Sequence, residues 1–184
     1  MTWRTHVAVG ANALWIMPLF GPLGQSVLVL LPVAILASLL PDIDAASAKI
    51  HYAGGGVLRI FRGAFYGKYF HHRGLMHSLF VTLILFTILV IIFGRTLPAL
   101  PFVFALAYFS HPLIDGFNSS VGYLYPFTNK RFALVPRSLR TPVKGMADNL
   151  FFFLALLGIL MFFFAFQNQF LPSTFNFGTN PSLY

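Results

Sequence analysis

Apolar runs of helical length, separated by short polar breaks, fill most of the chain. The first covers about 7–20 and is interrupted by Gly10, Asn12 and Pro18, then closed by the turn Gly21-Pro22-Leu23-Gly24. Its small residues Ala8, Gly10, Ala11 and Ala13 permit close packing, so the pattern predicts a buried, partly irregular first helix. The second run, about 23–40, is apolar except for Gln25, Ser26 and Ser38 and stops at Pro41-Asp42-Ile43-Asp44. Between 45 and 70, Lys49, Arg59, Arg62 and Lys68 alternate with Ile50, Val57, Leu58, Ile60, Phe61 and Phe65, the pattern of an amphipathic segment lying in headgroups. A third span is predicted from near His72 or Gly74 to Ile92, a fourth over about 98–117 and a fifth over about 147–166. A basic loop, 118–146, precedes the last span, and 167–184 reads as a polar, loosely ordered tail. The expectation is an all-α membrane protein: a single domain over 1–166, a bundle of about five transmembrane helices.

Composition agrees with the bilayer as solvent. Of the 184 residues 58% are apolar and 9% charged, against roughly 25% charged in soluble domains. The net charge of +8, from 12 Lys and Arg against 4 Asp, is attributed to cytoplasmic loops and anionic lipid rather than nucleic acid. No basic helix or aromatic-basic repeat supports a nucleic-acid partner. The absence of cysteine excludes thiolate nucleophiles and ligands, leaving His, Asp and neutral oxygens for any metal. The opening Met-Thr-Trp-Arg-Thr-His lacks the pattern of a removed signal peptide, so the first helix is expected to stay.

Five alternating crossings would place one set of helix ends on a common face. That face would receive every basic residue except Arg95, which makes it cytoplasmic, with the amino terminus inside and the carboxyl terminus outside. The same alternation gathers His6, Asp42, Asp44, His71, His72, His77, His111, Asp115 and Asp148 there. His77 would lie about one turn inside the third helix, and His111 and Asp115, four apart, share one helical face. Ionisable groups at membrane depth usually face a partner or a wet cavity. Imidazoles mixed with carboxylates suit zinc or another transition metal.

Four segments carry a family resemblance: Thr5-His6 with Gly10; Pro41-Asp42-Ile43-Asp44; His72-Arg73-Gly74-Leu75-Met76-His77-Ser78; and His111-Pro112-Leu113-Ile114-Asp115. In this order, with apolar helices between them, they resemble the YdjM family of bacterial inner-membrane proteins, described as metal-dependent hydrolases. Tyr125-Pro126-Phe127 before Lys130-Arg131 is also similar, whereas Met76 stands where the family commonly has Thr. The resemblance implies metal ligands at His6, Asp42, Asp44, His72, His77, His111 and Asp115, with His71 as a substitute for His72.

Seven ligands exceed the three usual for one catalytic zinc, so a centre of one or two ions, zinc or manganese, is expected. Arg73 is a candidate to hold an anionic substrate, Lys130 and Arg131 to recruit headgroups. Asp148 begins the fifth helix, where it is either a general base or a carboxylate favoured by the helix dipole. The expected activity is hydrolysis of a phospholipid or other amphipathic ester at the inner leaflet. The alternatives are an ion or lipid transporter, or a membrane protein stapled by a structural metal.

Overall fold

The structure, a computed structural model, describes residues 1–21, 26–44, 73–140 and 143–170. The expected amphipathic segment at 45–70, His71, His72 and most of the tail lie outside the described residues, as does the side chain of Asp44.

The chain is α-helical, as its apolar runs predict. Helix α1, Trp3–Ala11, continues as a 3-10 helix over Asn12–Phe20. Pro18 cannot donate a backbone hydrogen bond, and the Asn12 amide bonds the carbonyls of both Ala8 and Ala155, so the segment does not extend as regular α-helix. Helix α2, Ser26–Leu39, passes into a 3-10 turn, Leu40–Asp44, at Pro41. Helices α3, Leu79–Phe93, and α4, Ala99–Asp115, form a tight antiparallel pair. A long connection carrying an isolated Val121–Phe132 bridge leads to α5, Met146–Ala165.

One predicted boundary and the number of long spans are corrected. The third helix begins at Leu79, because Ser78 is extended and its hydroxyl accepts the Val81 N–H as an N-cap. His77 therefore lies in the 3-10 turn Leu75–His77 ahead of that helix, not one turn inside it. Of the five expected spans, two among the described residues are long and apolar enough to cross a membrane: Ser26–Ile43 and Met146–Ala165. Helices α3 and α4, at 15 and 17 residues, rise about 22 and 25 Å, short of a ~30 Å hydrocarbon core.

Helix α4 is the hub, packed against α1, α2 and α3, while α5 packs on α1. The core between them joins Leu14, Met17, Leu30, Ala34, Val103, Ala107, Tyr108 and Phe162. Small residues set the spacing: a Cβ on Gly10 would overlap Ser38, and one on Gly158 would overlap the Asn12 amide. Outside, α3 and α5 expose Leu83, Ile88, Ile91, Leu154, Leu157 and Phe164. So continuous an apolar exterior is stable against lipid and unstable in water.

Candidate metal centre

The site forms where α1, the end of α2, the turn before α3 and the end of α4 meet. His111 and Asp115, one turn apart on α4, are buried and face the other three elements. His111 Nδ1 lies 2.6 Å from the Ser38 carbonyl oxygen. Pro41, three residues beyond Ser38, has no N–H to offer that carbonyl in the 3-10 turn, so the imidazole takes it. A carbonyl can only accept. Nδ1 therefore carries a proton, and in the neutral ring the Nε2 lone pair points elsewhere.

Asp42 Oδ1 lies 3.3 Å from His111 Nε2 and 3.7 Å from His77 Nε2. His111 Nε2 is buried and makes no hydrogen bond among the described residues. A nitrogen and a carboxylate oxygen this close need a positive charge between them, either a proton on the ring or a metal ion. Two ligands each about 2.0–2.1 Å from one tetrahedral zinc stand about 3.3 Å apart, the separation seen here. The residues present therefore fit a divalent ion.

A second triad shares His111. His6 stacks on the His111 ring at 3.7 Å with 11° between planes, and its Nε2 lies 3.3 Å from Asp115 Oδ1. His6 Nδ1 is also buried with no hydrogen bond among the described residues. In each set, His6–His111–Asp115 and Asp42–His77–His111, one ligand atom per residue falls within 4.8 Å of the others. Because Nδ1 of His111 is taken by Ser38, His111 offers a single nitrogen and cannot bridge two ions.

Asp115 is held on both oxygens: the Met1 amino group donates to Oδ1 and Arg73 Nε to Oδ2, each at 2.8 Å. Arg73 adopts a left-handed backbone, φ 64°, which costs a non-glycine residue roughly 1–2 kcal/mol. Its carbonyl accepts from Gly122 N–H, and the Tyr123 carbonyl accepts from Leu79 N–H, so the 116–134 connection clamps the segment carrying Arg73 and His77. The Tyr108 hydroxyl donates to the Met76 carbonyl from the other side. The Tyr123 hydroxyl donates to the Pro112 carbonyl; burial, then the Asp115 charge, push its pKa up to about 12, so it stays neutral.

Of the expected ligands, His6, Asp42, His77, His111 and Asp115 are thus brought together, with Arg73 at their edge. Asp148 lies apart, a step along α1. It accepts from Thr5 Oγ1 at 2.6 Å, from Thr2 N–H and from Lys144 N–H, tying the start of α5 to the start of α1. Those donors give it the duty of a capping carboxylate. Lys130 and Arg131 are exposed beside the Val121–Phe132 bridge, at the surface. Sequence reasoning gave no role to Ser38, Tyr108 and Tyr123 and read Thr5 only as part of the Thr5-His6 segment, because their roles depend on contacts remote in sequence.

Residues 1–173 match the family described as YdjM inner membrane protein. The chain belongs to that family. The YdjM match spans all the helices described above and every residue of the cluster, and it places the protein among inner membrane proteins. No curated protein and no solved structure matches the chain.

Proposed function

We propose that this YdjM-family protein is a membrane-embedded, metal-dependent hydrolase acting on a phosphate or carboxylic ester of an amphipathic substrate at the inner leaflet. The observation that carries the reading is the buried His111 Nε2, without a hydrogen bond among the described residues, set 3.3 Å from the Asp42 carboxylate. Asp42, His77 and His111 hold at least one divalent ion, zinc or manganese, and His6 with Asp115 complete the cluster. When bound, the ion supplies a water acidified toward neutral pH and a Lewis acid for the substrate oxygen.

The chain's own groups do the rest. The Ser38 carbonyl and His111 Nδ1 fix the ring, so in the neutral imidazole Nε2 is the nitrogen left with a lone pair. Arg73 Nε is engaged by Asp115, which leaves the outer edge of a partly exposed guanidinium to hold an anionic oxygen. Asp42 is also partly exposed while His77 and His111 are fully buried, so a substrate reaches the cluster from the Asp42 and Arg73 side. Asp148 acts as a positioning residue that fixes α1, and hence His6. Lys130 and Arg131, exposed, recruit headgroups.

The basic residues predict that this face is cytoplasmic, with α3 and α4 completing the passage between the two longer spans. A closed structural metal site is favoured by one observation, the full burial of His77 and His111. Purified protein loaded with zinc or manganese should release acid or phosphate from a phospholipid panel, and Asp42→Asn should abolish the release. Metal bound at full occupancy with no turnover of any ester would favour the structural role.

A further inference from the structure

A cleft of about 540 Å³ opens between the starts of α1 and α5, lined by Thr2, Trp3, Arg4, Lys144, Asn149 and Phe153 among others. Its volume is that of a small-ligand site. We infer that this cleft binds the head group of an anionic phospholipid, a site separate from the metal cluster and independent of whether the cluster hydrolyses anything.

Charge is the first argument. Arg4 and Lys144 are exposed at the cleft, and neither pairs with a carboxylate among the described residues. The one acid present, Asp148, is buried in the floor with its oxygens taken by Thr5, Thr2 and the Lys144 backbone, so it does not neutralise either cation. Arg4 lies over the Trp3 ring at 5.8 Å, which holds the guanidinium at the mouth without cancelling its charge. Lys144 stands in a left-handed backbone, φ 68°, its N–H committed to Asp148, so the turn holds this cation beside the start of α5. Two free cations attract a phosphodiester and repel the ammonium of a zwitterionic head group.

Shape is the second argument. Phe153 in the lining is followed by Leu157, Leu160 and Phe164, spaced four, three and four along α5 and all more than half exposed. They form one apolar stripe running from the cleft down the helix. A head group held by Arg4 and Lys144 would thus have its acyl chains laid along that stripe, an arrangement a free phosphate cannot use.

The test is native mass spectrometry of the full chain in detergent, offered phosphatidylglycerol and phosphatidylcholine of identical chains in equal amounts. Each surface cation adds roughly fivefold to the affinity for anionic lipid, so the wild type should retain phosphatidylglycerol by roughly twentyfold or more. The Arg4→Gln, Lys144→Gln double variant should lose that preference while keeping its bound metal. Lys144→Gly alone, suited to the left-handed backbone and so safe for folding, should lose roughly fivefold. Equal retention of both lipids by the wild type, or undiminished preference in Lys144→Gly, would overturn the assignment. So would displacement of the lipid by an equal concentration of inorganic phosphate, which would make the ligand a soluble anion.

Discussion

Replacing Gly10 with Ala tests how the fold sets the site. The new methyl would overlap the Ser38 Cβ and stand 3.4 Å from the Ala34 carbonyl oxygen, both on α2. Carbon atoms rest at about 3.5–4.0 Å, so α1 and α2 must part by on the order of 1 Å. Overpacking of that kind destabilises by about 1–3 kcal/mol, or roughly 3–10 °C in Tm for a chain of this size. The same movement shifts Ser38, whose carbonyl holds the His111 ring, and α1, which carries His6. Thermal unfolding in detergent should therefore show the loss of stability, and metal content should fall with it. Ser38→Gly removes the opposing Cβ while keeping the carbonyl, so the Gly10→Ala, Ser38→Gly pair should recover most of both, a coupling a double-mutant cycle measures directly. If Gly10→Ala alone leaves Tm and metal content at wild-type values, the close approach of α1 and α2 does not position the cluster.

Asp148→Asn should cost about 1–2 kcal/mol in thermal unfolding, by weakening the acceptor shared by Thr5, Thr2 and Lys144, yet leave metal content unchanged. Lost metal would instead bring Asp148 into the centre. Arg73→Lys should keep the metal but slow ester hydrolysis by roughly 10–100-fold, because a compact ammonium lacks the rigid fork that bonds Asp115 through Nε while presenting its outer N–H groups to a substrate oxygen; an unchanged rate would remove Arg73 from the site. Tyr123 has its folded pKa raised from 10.0 to about 12, so its contribution to stability is complete below pH 10 and is lost as pH climbs toward 12. Tyr123→Phe should flatten that part of the alkaline unfolding profile, and an identical profile would refute the burial of the hydroxyl.

Much of this was readable in the chain because the signals are local. Pro41 ends α2 whatever surrounds it, and the four-residue spacing of His111 and Asp115 places both on one face of α4. Helices with apolar exteriors follow from uninterrupted Leu, Ile and Phe. What escaped is set by tertiary partners. The start of α3 depended on Ser78 capping Val81 in competition with helical propensity further upstream, and the apolar run alone overstated the helix. The tautomer of His111 depends on a carbonyl 73 residues away, and the engagement of Arg73 on an acid 42 residues away. Asp148 shows the limit most clearly: its place at a helix start is local, but the threonines that claim its oxygens belong to the other end of the chain.

The central claim is that the converged His and Asp side chains hold a divalent ion. X-ray absorption at the metal edge, on protein purified without chelator, tests it most directly. The expected spectrum shows a bound divalent ion with imidazole nitrogen and carboxylate oxygen at about 2.0–2.2 Å, lost in His111→Ala and weakened by acid as protons compete for the ligand atoms. Wild-type protein that binds no divalent ion, or a His111→Ala variant with the full wild-type spectrum, would contradict the account.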